Sequence, residues 1–257
     1  MTTALPHYYC ITHAEPAWPL PEFLTVIGTG DYVPARGLAL SQLCPEQAMR
    51  NRYLGEYVAL FQIRKLLVES RAEGFVGVCH YRRFALPQPP GILLGFNHHA
   101  PPDVLAGLTA ADFVGDGQTP IVPSKVQFPV GPLQQIVYPG GTRDLLMFFG
   151  DAIDCGVITP EEAAAFIGGN SFIAAPTVAY LPVAWFVDIV YQLELVASRF
   201  YRYHYIEREG YPARSMAFCC ERLQALLLLR HINAWGSAKV IWCPLTLLNN
   251  AAPGAQP

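Results

Sequence analysis

Phe75-Val76-Gly77-Val78-Cys79-His80-Tyr81-Arg82-Arg83 is the stretch whose reading decides the fold. Its first five residues carry no charge and no polar alternation. That pattern predicts a strand covered on both faces, as the central strands of parallel sheets are. The run stops abruptly at a histidine, a tyrosine and two arginines. Ahead of it, Tyr53, Tyr57, Leu60, Phe61 and Leu67 recur at helical spacing, which predicts a helix over Asn51–Ser70, either capped by Asn51 or beginning nearer Pro45-Glu46. Further back, His7–His13 and Phe23–Ile27 read as strands, separated by a loop carrying Pro16, Pro19 and Pro21. Strand, helix, strand is the unit of an open α/β sheet with helices against its faces.

Downstream, Pro87–Pro102 reads as loop and contains His98-His99. Thr119–Pro123 reads as a short strand that its prolines would confine to a sheet edge. Helices are predicted over Arg143–Cys155, Pro160–Ile167, Leu181–Tyr201 and Arg214–His231, and strands over Ser171–Ala175 and Val240–Cys243. Pro160 followed by Glu161-Glu162 is a strong helix start. One domain is expected over 1–243, with 244–257 as a flexible C-terminal tail. From Ala163 to Val187 no residue is charged, a length that could cross a bilayer, but Gly168-Gly169-Asn170-Ser171, Pro176 and Pro182 cut it into shorter elements.

The 257 residues are 52% hydrophobic and 14% charged, which excludes a disordered chain, and a net charge of −3 excludes a nucleic-acid binder held by bulk electrostatics. Seven cysteines without a Cys-x-x-Cys pair suit buried thiols in a reducing compartment. With no basic and apolar leader at the start, the expectation is a cytoplasmic protein, with association to the inner face of a membrane left open by the apolar composition. Basic residues are lopsided, 14 Arg against 3 Lys. Codon bias would give that, and so would a need for forked guanidinium groups that bind phosphate or carboxylate in pairs of hydrogen bonds.

Ligands of open α/β sheets bind beyond the carboxyl ends of the strands. Thr12-His13 and His80-Tyr81-Arg82-Arg83 stand at such ends. An internal ion pair, for instance Arg82 with Glu56, would use one of the two arginines. Neighbours on an extended chain point to opposite sides, so one partner does not absorb both. The alternative is an anion site, most naturally for a diphosphate. Glu56 is in line with Leu60, Ile63 and Leu67, which sets it on or beside the buried face of the helix, where a carboxylate needs a partner. Glu221 lies between Ala217 and Ala225 on an apolar helix. It reads either as an ion pair with Arg214 or the Arg222 neighbourhood, or as a site carboxylate with a raised pKa fit for general base work. No Asp-x-Asp occurs, no metal ligand set is expected, and His98-His99 lacks a second ligand pair.

Several of these residues together resemble a known family. Ile11-Thr12-His13, Ile27-Gly28-Thr29-Gly30, Asn51 with Glu56 and Ala59, Gly77-Val78-Cys79-His80-Tyr81-Arg82-Arg83-Phe84, and Glu221-Arg222-Leu223 look like the bacterial capsular and exopolysaccharide biosynthesis glycosyltransferases of the GT-A-like superfamily. The resemblance spans about residues 8–232 and implies a GT-A-like, Rossmann-type open sheet flanked by helices. It implies transfer of a sugar from a nucleotide-sugar donor to a glycan or lipid-linked acceptor, with a non-catalytic binding or scaffold protein of polysaccharide assembly as the alternative. In such folds an Asp-x-Asp motif after the central strand holds a metal on the diphosphate. Here His80–Arg83 stands in that place, so arginines would replace the metal, with Mn²⁺ or Mg²⁺ left open. On this reading Thr12, His13 and Gly28 lie near the nucleotide, and Arg82 and Arg83 meet the diphosphate with His80 beside it. Asn170 and Ser171 face the sugar, and Glu221 takes the acceptor proton. Glu56, Asn51 and Arg222 hold those groups from behind.

Overall fold

The fold is that of a computed structural model, which describes residues 7–136, 138 and 140–249. Strands β1 (His7–Thr12), β2 (Thr25–Gly28) and β3 (Leu38–Ala39) run parallel, and β4 (Phe75–His80) adds in parallel to the other side of β1. The chain turns through Tyr81-Arg82 into antiparallel β5 (Arg83–Ala85) and continues into the hairpin β6 (Ile92–Leu94) and β7 (Asn97–Ala100). β8 (Ile121–Pro123) belongs to the main sheet, while β9 (Lys125–Gln127) and β10 (Ser171–Ile173) form a small antiparallel pair of their own. β11 (Ala179–Pro182), β12 (Ile241–Cys243) and β13 (Leu245–Leu248) complete the set. The central order is β3-β2-β1-β4-β11-β8-β12, in which β11 alone runs antiparallel. The result is one domain built on an open, mostly parallel sheet flanked by helices, as the strand–helix–strand pattern predicts.

Side-chain alternation divides the core into two layers. Tyr9, Ile11, Val76 and Val78 face the helical side, where the helices Tyr57–Glu69, Gly141–Asp154, Val183–Tyr203 and Ser215–Trp235 cover them. Tyr8, Cys10 and Cys79 face the opposite layer, closed by Phe84, Phe113 and the Pro-rich segment bearing Trp18, Leu20 and Phe23. Gly77 is required by this packing. It lies in register with Tyr8 on one side and Tyr180 on the other, their rings stack at 6.2 Å, and a Cβ at Gly77 would run into the Tyr8 ring.

Four expectations are corrected. The helix over Asn51–Ser70 is two helices, Asn51–Leu54 and Tyr57–Glu69, and Asn51 is the first residue of the shorter one rather than its cap. Residues 87–102 are not all loop. Ile92-Leu93-Leu94 pairs with Asn97-His98-His99 as a hairpin, with Gly91 ahead of it and Gly95 in its turn both at positive φ, and leaves Ile92, Leu93, Leu94 and Phe96 exposed. Ile121–Pro123 lies inside the sheet between β11 and β12, because Pro120 precedes the strand and Pro123 ends it. Leu245–Leu248 is not tail but a strand shared by β5 and β7, in which Leu245, Thr246 and Leu248 are buried, while residues 250–257 lie outside the described residues. The turns cut the uncharged stretch 163–187 into a helix end, β10 and a new helix, as expected, while Ala179–Pro182 adds the strand β11, so the helix expected from Leu181 begins at Val183, and no described helix is long and apolar enough to cross a membrane.

Candidate active site

The carboxyl ends of β1 and β4 open into a cavity of about 540 Å³, within the range of small-molecule sites. β1 delivers Ile11, Thr12 and His13, and the β4–β5 turn delivers His80, Tyr81, Arg82 and Arg83. The floor is tied across strands. Thr29 donates its backbone N–H to the Thr12 carbonyl oxygen (2.8 Å), and Tyr81 N–H donates to Ile11 O (3.3 Å). Gly28 stands opposite Thr12 in register, where a Cβ would run into the Tyr32 carbonyl oxygen, so the chain passes close enough to bring Thr29 to the cavity. The Pro-rich segment braces the arginine turn. Trp18 Nε1 donates to Tyr81 O (3.1 Å), its ring stacks on Tyr81 at 6.2 Å, and His13 meets Tyr81 edge-on at 5.8 Å.

The helix break supplies the next wall. Gly55 adopts φ 54°, which an L residue rarely holds, and its N–H closes the first helix on Asn51 O (2.9 Å). A side chain there would also lie 2.8 Å from Arg214 Nη2. Glu56 follows the break in helical conformation, its carbonyl accepting from Leu60 N–H at 3.2 Å, so it stays half-buried beside the core stripe as its spacing predicts and reaches the cavity beside Asn51 and Arg52. Its partner is not Arg82 but Arg214, at 3.4 Å. The last wall is one face of the helix Ser215–Trp235 and the turn before it. Arg214, Ala217, Phe218 and Glu221 are spaced i, i+3, i+4, i+7, and Tyr211 leans on Phe218 with ring centroids 4.9 Å apart.

Four arginines line this cavity against two glutamates. Arg52 pairs with Glu207 at 2.9 Å and Arg214 with Glu56. Arg82 and Arg83 have no carboxylate within ion-pair distance among the described residues, and Arg82 rests over the Tyr81 ring at 5.7 Å. Two guanidinium groups thus face the cavity with their charge uncompensated, the condition of an anion site. The carboxylates that a divalent cation would need are each already beside a guanidinium, Glu56 with Arg214 and Glu221 with Arg222 (3.0 Å), so the donor set suits an anion better than a metal. No cluster of three or more His, Cys, Asp or Glu suited to a metal occurs among the described residues.

His80 sits half-buried between these charges. Burial pushes its imidazole below the ordinary value; Glu56 pulls it up, and Arg83, Arg214 and Arg82 push it further down. The unfolded chain binds the proton near pH ~6.5, the folded chain only at lower pH. Stability from this group is therefore full above pH ~6.5 and is lost as pH falls through the folded-state value. We expect His80→Gln to flatten the decline of urea-unfolding free energy below pH ~6.5; an unchanged slope would mean that the folded imidazole titrates like a free one.

Of the residues proposed from sequence, Thr12, His13, Asn51, Glu56, His80, Arg82, Arg83 and Glu221 line one cavity. Glu221 also accepts from Ala175 N–H at 3.4 Å, and its ion pair with Arg222 is the alternative that the sequence leaves open. Four proposed residues do not line the cavity, and the first of them, Gly28, stands opposite Thr12 one residue before Thr29, which does line it. Ser171 opens β10 of the small β9–β10 pair and Asn170 immediately precedes it, its Oδ1 accepting from Gln127 Nε2 at 2.6 Å. Arg222 turns to Gln135 (3.0 Å) and lies over Phe172 at 4.8 Å, though it keeps its hold on Glu221. Sequence reasoning did not assign Arg52, Tyr211, Arg214 or Phe218 to the site. The signal present for the last two is their helical spacing with Glu221.

No family model matches the chain, and no curated protein matches its sequence. Among solved structures, the fold is similar to the apo structure of the bifunctional glycosyltransferase WbbM, with a TM-score of 0.70 at 14% identity. The match covers 96% of this chain and 46% of that one, so the chain spans about half the length of its structural neighbour and shares with it the fold.

Proposed function

We propose that the chain is a glycosyltransferase that binds a nucleoside-diphosphate sugar and moves the sugar to a hydroxyl of a glycan or lipid-linked acceptor. The observation that carries this reading is the pair Arg82 and Arg83, without a carboxylate partner among the described residues and lining a cavity at the carboxyl edge of a mostly parallel sheet. The fold shared with a glycosyltransferase supports it. In the reaction the bond between the anomeric carbon and the diphosphate oxygen breaks, and a bond from the acceptor oxygen forms. The two guanidinium groups would stabilise the charge that grows on the leaving diphosphate, which is where preorganised donors lower a barrier most. The acceptor proton would pass to Glu221, which reaches the cavity while Arg222 and the Ala175 N–H hold it.

A thermal-shift panel of UDP, GDP, CDP and dTDP sugars, each with Mn²⁺ and with chelator, tests the reading. A sugar nucleotide at 100 times its dissociation constant adds about 2.7 kcal/mol of stability. We expect at least one to raise Tm, and the rise to survive chelation. Failure of every donor rejects the assignment, and strict Mn²⁺ dependence removes the arginine-for-metal part. Product formation on adding saccharide acceptors then separates a transferase from a binding protein.

A further inference from the structure

Thr177 is 3% exposed, and its hydroxyl has one hydrogen-bond partner among the described residues, His80 Nε2 at 3.4 Å. The contact follows from the turn that leads into β11. β11 and β4 are antiparallel with Ala179 opposite Val78, and the turn over 175–178, just before that pair, brings Thr177 beside His80 at the end of β4. The segment before β11 is locked in place. Ala175 holds φ 49°, an uncommon conformation for an alanine, while its N–H donates to Glu221 and its carbonyl accepts from Val178 N–H at 3.0 Å. Buried Gln224 donates to Pro176 O (3.1 Å) and accepts from Tyr57 OH (2.8 Å). Burial, reinforced by Glu221, pushes the Tyr57 phenol up, so it stays protonated and remains a donor.

A buried hydroxyl must place its hydrogen on an acceptor or bear the cost of an unmade bond. If His80 carried its proton on Nε2, that N–H would donate to the Thr177 oxygen, and the Thr177 hydrogen would be left without an acceptor among the described residues. If Nε2 is bare, the hydroxyl donates to it and the ring proton sits on Nδ1. We propose that Thr177 fixes His80 as the Nδ1–H tautomer, so that the ring offers the cavity a hydrogen-bond donor and not a base. Thr177 is then a positioning residue. The charged groups facing the ring, Glu56 from the helix break, Arg82 and Arg83 from the turn, and Arg214 from the last helix, include three cations. A neutral ring that donates fits a cavity built for an anion without adding a further full charge. What the N–H would meet, an oxygen of the diphosphate or sugar, rests on the function proposed above; the tautomer does not.

Histidine ¹⁵N shifts of the ligand-free protein test this, with the His80 signals assigned by their loss in His80→Gln. The expected wild-type pattern is a protonated Nδ1 and a bare Nε2 at pH 7.5. Thr177→Val should move the population to the Nε2–H form by at least threefold, and Thr177→Ser should keep the wild-type pattern. A wild-type ring protonated on Nε2 overturns the proposal without any variant, as does an unchanged tautomer in a folded Thr177→Val protein. Because no sugar nucleotide is present, failure to bind donors leaves this result standing, and an overturned tautomer leaves donor binding untouched.

Discussion

Arg83→Ala is expected to weaken binding of the best nucleoside-diphosphate sugar by about 10- to 150-fold, since a charge-assisted hydrogen bond contributes roughly 1.5–3 kcal/mol. Arg83 carries the larger effect of the pair. It is half-buried at the start of β5, held opposite His80 on one side and Leu247 on the other, so its guanidinium is delivered to the cavity by paired backbone. Arg82 is exposed at the turn and lies over Tyr81, so its charge is better hydrated, and Arg82→Ala should cost less. Neither arginine neutralises a described carboxylate, so both variants should unfold within about 1 kcal/mol of the parent. That separates a lost ligand contact from a lost fold. Arg83→Lys should recover only part of the affinity, because an ammonium cannot span two phosphate oxygens as a fork does. Calorimetric titration of both alanine variants decides the matter. Undiminished affinity in both would mean that the diphosphate does not lie on this turn.

The sheet was legible where burial imposes a simple pattern. Phe75–Cys79 is apolar on both faces because β4 sits between β1 and β11, with helices on one side and the Phe113 layer on the other. The abrupt change at His80 marks the strand end, and with it the cavity floor. What escaped sequence reasoning is nonlocal. Glu56 and Arg214 are 158 positions apart, and nothing local pairs them. The break at Gly55 was hidden because Tyr57, Leu60 and Leu67 keep their helical spacing from one side of it, while Tyr53 fits the short helix on the other. The hairpin at 92–100 lacks the usual signature for the same kind of reason. Ile92-Leu93-Leu94 is apolar at every position yet exposed, so no alternation marks it as a strand. Leu245–Leu248 looked like tail because a strand that completes a sheet late in the chain is recognisable only once β5 and β7 are in place to receive it.

Asp144→Ala is expected to lower unfolding free energy by about 3–5 kcal/mol, because removing one partner of a buried ion pair strands the other. For a chain of this size that is roughly 6–20 °C in Tm. Asp144 is fully buried in the first turn of the helix Gly141–Asp154. Its carboxylate receives Arg208 through both Nη1 (2.5 Å) and Nη2 (3.1 Å), and Arg143 Nη1 at 3.0 Å. Arg208 also donates to Ser215 Oγ at 3.3 Å, and Arg143 to His204 O at 3.1 Å, so one carboxylate anchors the segment from His204 to the start of the last helix. Gly140, at φ 83°, belongs to the same arrangement, since a Cβ there would lie 2.7 Å from Arg208 Nη2. That segment carries Tyr211 and Arg214 to the cavity. The loss should therefore appear twice, as lower stability and as weaker donor binding in the fraction that remains folded. Asp144→Leu combined with Arg208→Met tests whether the stranded charge is the cause. An apolar pair of similar bulk should restore most of the stability. If the double variant is as unstable as Asp144→Ala, the damage lies in packing rather than in the unpaired guanidinium. If Asp144→Ala alone costs less than about 1 kcal/mol, the pair does not hold this wall of the cavity, and the aromatic and arginine side chains it presents are fixed by the helix Ser215–Trp235 alone.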